Sequence, residues 1–377
     1  MSGFTFPLIL SQARLPLDPQ EYILGLSSAC ENLGVSSQDV YGDFNCSENS
    51  SWLKLFESSV SKILQKYDSL FVPSGVMAQN IVLAIAQSKS YPIGISKDHF
   101  LCHFSSHILL HENNAFSELL RMNAVIISED NNAMVQKPVT YNDVLPFLES
   151  EILPCVLLIE CPHREIGGKC IPWEDLVAIS SLCRKKGVLL HMDGARLWEA
   201  VAYYDRDISE ICALFDSVYV SFYKGLGAIT GAMLIGNKDF IIESKKWLRR
   251  FGGNLFCQLP YAVSCWKGLI DNRHSFTERL TKLKDVIKVL SELFINDNYD
   301  IIDPVTNDKI QLLRFDPPVP EVSLIHVYIF GSQDLIQLAN ENTFGSTGIK
   351  IFTRIIDGKF GMTKTFSTFE FNMVEII

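Results

Sequence analysis

The chain is 377 residues long, 47% hydrophobic and 20% charged, with a net charge of −10. That length exceeds one ordinary core, so a large domain with a smaller companion is expected, and the acidic balance argues against a nucleic-acid partner. No apolar run reaches the roughly 18 residues that span a bilayer, which sets membrane partners aside.

Met1 to Leu10 has no basic stretch followed by a small-residue cleavage site, so a cytoplasmic location is the expectation. The ten cysteines contain no C-x-x-C pair and several sit in apolar patterns, so they are expected as reduced thiols. Residues 1–40 read as an N-terminal arm with weak helical character around Glu21 to Leu33. From Ser50 to Tyr67, Leu53, Phe56, Val60, Ile63 and Leu64 recur at helical spacing. Ser69 to Asn80 then reads as a short strand turning through Pro73-Ser74-Gly75 into a helix. Such a helix start has free N–H groups and a positive dipole end, which suit a phosphate; Ser74, Gly75 and Val76 are the candidates. His99, His103, His107 and His111 are spaced by four, but loop-like flanks and the lack of a thiolate or paired carboxylate argue against a metal site.

Strands are expected at Asn123 to Ser128 and Pro154 to Glu160, then a helix from Trp173 to Lys186. Two further apolar runs follow, Gly187 to Gly194 and Ser217 to Gly225, each ending in a charged residue and a glycine. Both read as fully buried parallel strands joined by a crossover. Gly231 to Gly236 reads as the next strand and Asn237 to Arg250 as a helix. Beyond a long helix at Ser275 to Phe294, strands at 312–315, 323–330, 350–355 and 365–372 surround a helix at 332–342. These divide the chain into an arm (1–40), a large domain (41–271) and a small C-terminal α+β domain (272–377).

Asp193 and Lys224 would stand at the carboxyl ends of neighbouring strands, where open α/β sheets bind ligands. An acid and a lysine there suit pyridoxal 5'-phosphate. The lysine would form a Schiff base with its aldehyde and the acid would pair with its pyridine nitrogen. A structural ion pair is the alternative for two such residues. Gly194, Ala195, Gly225 and Gly227 favour the cofactor, because they clear space for a flat ring. Arg196, on the same rim, has the fork geometry for a substrate carboxylate.

His191-Met192-Asp193-Gly194-Ala195-Arg196 and Ser221-Phe222-Tyr223-Lys224-Gly225-Leu226-Gly227 resemble the H-x-D-G-A-R and S-x-x-K-G-L-G motifs of the threonine aldolase/β-eliminating lyase family. The resemblance runs from about Val40 to Leu269 and implies a fold-type I pyridoxal phosphate enzyme. Such an enzyme has a mostly parallel central sheet with helices on both faces. It also implies that Ser221 belongs to the cofactor site and that His107, near Glu112, stacks on the ring. His163 keeps the family's imidazole after the strand at Glu160, although Cys161 replaces an asparagine and Val76 a threonine. Arg250, before Gly252-Gly253, resembles a basic residue that reaches a phosphate, including across a subunit boundary. Arg354 is the small-domain candidate for the substrate carboxylate, with Arg314 as its competitor. The family's N-terminal Ser-Asp-Thr segment is not recognisable. The activity implied is cleavage of a β-hydroxy-α-amino acid to glycine and an aldehyde by a homodimer or homotetramer, with Lys224, His107 and His163 as the catalytic set. Its rivals are β-elimination on the same cofactor and a scaffold that binds without reacting.

Overall fold

The computed structural model describes residues 8–9, 18–36, 41, 51–89, 94–127, 136–296, 300–302, 309–311, 313–330, 333–352, 356–357 and 366–372. Seven strands build the central sheet: β1 Asp68–Val72, β2 Ile95–His103, β3 Asn123–Ile127, β4 Leu153–Glu160, β5 Leu189–Gly194, β6 Ser217–Ser221 and β7 Ala232–Gly236. Their order is β1-β7-β6-β5-β4-β2-β3, and β7 alone runs against the others. The strands from β4 to β7 are buried almost end to end. Their sequences are accordingly continuous apolar runs rather than alternating ones.

Successive side chains on each strand serve opposite faces. On one face Leu70, Tyr219 and Leu234 pack beneath the helices Gly75–Ser88 and Lys238–Arg250, through Ile81, Val82 and Ile241. On the other, Phe71, Val218 and Ile235 meet Phe56, Ile179 and Val263 from the helices Trp52–Ile63, Trp173–Lys186 and Leu259–Asn272. The helix Pro19–Asn32 docks as well, with Ala29 in the large core and Tyr22 hydrogen-bonded to Ser264. Part of the expected arm therefore packs on the body of the protein.

Ser96-Lys97-Asp98 reads as loop in the sequence but lies within β2, whose first half is exposed or half-buried. Polar residues there leave no apolar signature for the strand. Of the four evenly spaced histidines, His99 and His103 lie on β2, His107 opens the short helix His107–Leu110 and His111 follows it. They share no helical face.

The C-terminal lobe is a four-stranded antiparallel sheet, in the order Leu313–Asp316, Leu324–Phe330, Phe366–Asn372 and Ile356–Asp357, with the helix Gln333–Thr347. The helix Phe276–Asn296 bridges the lobes: Phe276 belongs to the large core, whereas Leu283 and Ile287 belong to the small one with Phe315 and Ile325. Polar contacts stitch the loop after Asp316 onto the large lobe. Lys169 pairs with Asp316 at 2.7 Å, the Cys170 N–H donates to Glu321 at 2.7 Å, and Ser323 donates to Glu199 at 2.8 Å.

Phe56 is fully buried between Phe222 and Trp266, with ring centroids 5.4 and 5.6 Å away. Phe56→Ala should cost about 3–5 kcal/mol, read as a lower denaturant midpoint with an unchanged slope. A loss below about 1 kcal/mol would show that this part of the core is not the close-packed support described.

Candidate active site

The carboxyl ends of β4, β5 and β6 form the site. Their register aligns Glu160 with Asp193 and Asp193 with Tyr219, so these three side chains stand in one row on the face covered by the helix Gly75–Ser88. Asp193 is 2% exposed and accepts the Ala195 N–H at 3.1 Å. Burial first, and then the neighbouring Glu160 carboxylate, push Asp193 up to about 7, against the pull of Lys224 and His107. Lys224 follows three residues beyond the end of β6. Its amine is held below the ordinary lysine range by burial and by the Arg196 guanidinium, while Asp193 and Glu160 pull the other way. The acid and the amine therefore lie in each other's field.

Ser74 caps the helix Gly75–Ser88 by accepting the Met77 N–H at 3.3 Å. The first helical N–H groups, those of Gly75 and Val76, have no partner within the helix. A Cβ on Gly75 would stand 2.1 Å from the Tyr219 hydroxyl, so only glycine lets the row of side chains approach the helix end. Val76 is 38% exposed and its side chain carries no donor, leaving its backbone as its contribution.

His107 donates its backbone N–H to Glu160 at 3.1 Å, and its Nδ1 lies 3.0 Å from Glu112. Burial pulls the imidazole down, but the Glu112 hydrogen bond and the charges of Asp193 and Glu112 outweigh it and hold His107 above its ordinary value. His163 is 3% exposed, with Nε2 3.1 Å from Ser105 Oγ and 3.5 Å from Glu160. Ser105 in turn meets His103, which burial and the neighbouring His163 hold down to about 3. His163 is thus a member of a buried chain, whereas His107 keeps Nε2 free of hydrogen bonds to the described residues.

Arg196 donates to Glu199 at 2.9 Å, and both are buried. Ser221 donates to the Ala195 carbonyl at 2.7 Å and so braces the turn after Asp193. Arg279 donates to the Gly225 carbonyl at 2.9 Å and thereby supports the turn that follows Lys224. Phe276 packs there so closely that a Cβ on Gly225 would meet it at 2.7 Å. Arg250 stands apart: its guanidinium folds over the Trp247 ring at 4.4 Å, and it lines a cavity of about 740 Å³ with Gly187, Val188 and Ser217, at the starts of β5 and β6. Within one chain it does not join Asp193. Arg314, the alternative to Arg354, lies over the Tyr328 ring at 5.5 Å in the small lobe, and Arg354 itself lies outside the described residues. Sequence reasoning missed Glu160, Glu199 and Arg279 as contributors. The first two had a signal: Glu160 closes its apolar run and Glu199 stands one helical turn from Arg196.

These residues fit pyridoxal 5'-phosphate. A buried carboxylate whose charge is disfavoured by burial and by Glu160 gains most from a cationic ring nitrogen beside it. Lys224 supplies an amine closer to neutrality than a surface lysine, and the end of the helix Gly75–Ser88 supplies N–H donors beside Tyr219.

A family model described as Beta-eliminating lyase matches residues 37–304. The chain is 32% identical over 207 residues to the aldolase vrtJ of Penicillium aethiopicum, covering 53% of this chain and 49% of the other. Identity to the low-specificity L-threonine aldolase of Candida albicans is 31% over 219 residues, covering 57% of this chain and 56% of the other. The chain thus spans about half the length of the curated relatives it matches. A solved structure named as an L-allo-threonine aldolase of Listeria monocytogenes superimposes with a TM-score of 0.79 at 32% identity, covering 97% of this chain and 90% of that one.

The raised Asp193 carries a pH signature. A carboxyl group whose folded value lies above its unfolded one loses stability as pH rises from 3.8 toward about 7, and the full cost persists above that. Cofactor-free Asp193→Asn should therefore melt several degrees above the parent at pH 8, with the gap closing toward pH 4. An equal difference at both ends, followed by thermal melting, would contradict the assigned burial cost.

Proposed function

The chain belongs to the β-eliminating lyase family, and from that membership and the site's geometry we propose that it cleaves a threonine-like β-hydroxy-α-amino acid to glycine and an aldehyde. The observation that carries this reading is the placement of Lys224 and Asp193 in each other's field at the ends of adjacent strands, with His107 beside both. Pyridoxal 5'-phosphate, when bound, supplies the electron sink for the pair released when Cα–Cβ breaks.

Lys224 would hold the cofactor covalently, Asp193 its ring nitrogen, and Ser74 with the N–H groups of Gly75 and Val76 its phosphate. His107 would face its ring. Arg196 orients the substrate through its carboxylate, which fixes the bond to be broken relative to the site. The β-hydroxyl proton needs an acceptor within hydrogen-bond reach. His107 Nε2 fills that role: Glu112 holds Nδ1 and stabilises the imidazolium as it forms. His163 already spends Nε2 on Ser105 and lies 3.5 Å from Glu160, so its part is to pack beside the carboxylate that accepts the backbone N–H of His107.

The working unit in this proposal is a homodimer or homotetramer, in which Arg250 could serve a neighbour's phosphate. A cytoplasmic setting agrees with free cysteines throughout the described residues, among which no helix is long and apolar enough to cross a membrane.

Feeding purified, cofactor-loaded protein threonine, allo-threonine and phenylserine should release glycine and the matching aldehyde. Pyruvate and ammonia instead would replace aldol cleavage by elimination. Lys224→Ala should abolish turnover together with the visible absorbance band. His107→Phe should cut kcat by roughly 100-fold while the cofactor stays bound, and unchanged turnover would remove His107 from proton transfer.

A further inference from the structure

Arg196 is not a bare cation waiting for an anion. Its Nη1 is committed to Glu199 Oε1 at 2.9 Å, with side-chain exposures of 7% and 2% for the two partners. The second oxygen of Glu199 is committed as well, accepting the Ser323 hydroxyl at 2.8 Å. Ser323 is 5% exposed and belongs to the loop that enters the small-lobe strand Leu324–Phe330. Arg196 N-caps the helix Leu197–Tyr204, and Glu199 lies in its first turn, so the pair is fixed by one turn of helix. Its position beside the lysine turn is equally fixed, since a Cβ on Gly225 would come within 3.2 Å of Glu199 Oε1.

We infer that Glu199 is the positioning residue that sets affinity for the substrate carboxylate, by aiming the Arg196 guanidinium and cancelling part of its charge, with Ser323 tying that setting to the small lobe. This rests on the reading that Arg196 receives the carboxylate. Two effects of opposite sign follow. As an anchor, Glu199 keeps the planar fork in one orientation, so less conformational freedom is lost when the carboxylate arrives. As an anion, it opposes the arriving negative charge in a poorly solvated site, where like charges are weakly screened. The carboxylate therefore meets a well-aimed but half-neutralised cation. That arrangement gives loose binding of the common portion of every amino acid and leaves discrimination to the side chain. Ser323 restrains Glu199 from the other lobe, so the aim of Arg196 depends on the two lobes being docked.

Two substitutions at one position separate the effects. Glu199→Gln keeps the acceptor oxygen for Arg196 and presents an amide to Ser323 Oγ, but removes the charge. Glu199→Ala removes both. In the cofactor-loaded protein, KM for the amino acid should fall about tenfold in E199Q and rise about tenfold in E199A, the scale of one charge-assisted hydrogen bond, with kcat moving less than KM in each. Acetate binding followed by calorimetry reads the same opposite shifts without any reaction. Shifts in the same direction for both variants, or unmoved affinities, overturn the inference. If the protein cleaves no β-hydroxy amino acid yet the acetate affinities diverge as stated, the proposed activity fails while the role of Glu199 stands. If E199Q does not fold, Ser323→Ala decides. It should weaken acetate about threefold with little change in melting temperature, and unchanged acetate affinity overturns the inference.

Discussion

Carrying ionisable groups into the dry rim of a parallel sheet is the constraint on which everything else in this protein depends. An isolated charge there costs several kcal/mol, so each must find an opposite within a few ångströms or give up its proton. Asp193, Glu160, Glu112 and Glu199 bring carboxylates to a small volume; Lys224, His107, Arg196 and the N–H groups of the helix Gly75–Ser88 answer them. The balance is deliberately incomplete at one place. Asp193, flanked in register by another acid, is left short of positive charge. A ligand that brings a cationic nitrogen relieves that shortage, so the protein's own electrostatics select the chemistry it recruits.

Sheet register does most of the placement. Because parallel neighbours align Glu160, Asp193 and Tyr219, no loop has to be ordered to assemble the row. What lies beyond the strand ends is less rigid by nature and is braced individually. Ser221 holds the turn after Asp193, Arg279 the turn after Lys224, and Glu160 the entry of the short helix that carries His107. Each brace is a polar side chain satisfying a backbone group, which is how irregular segments avoid the cost of unpaired amides and carbonyls.

Much of this was legible in the sequence, and the gaps have physical reasons. Buried parallel strands leave continuous apolar runs, so β4, β5 and β7 could be read within a residue or two of their ends, as could the helices at Trp173 and Phe276; β6 stops at Ser221, four residues short of the Gly225 that closes its run. Strand β2 could not, because Ser96, Lys97 and Asp98 occupy its exposed portion and mimic a loop. The acid, the lysine and the turn that opens the helix Gly75–Ser88 were legible because glycines beside them mark close approach. Their supporting residues were not, since the partner of a side chain lies far away in the chain: Ser323 is 124 positions from Glu199 and Ser105 is 58 from His163. Arg250 belongs to a motif plain in the sequence, and within its own chain it lines a cavity at the starts of β5 and β6, away from Asp193.

The helix Phe276–Asn296 enters both cores and, one turn from its start, grips the carbonyl of Gly225 through Arg279. It forms one continuous strut anchored beside the turn that follows Lys224. A displacement of the C-terminal lobe would be carried along that rod to the peptide that follows Lys224. The small lobe and the turn after Lys224 therefore share one support, so a change in how the lobes dock would reach the amine through it.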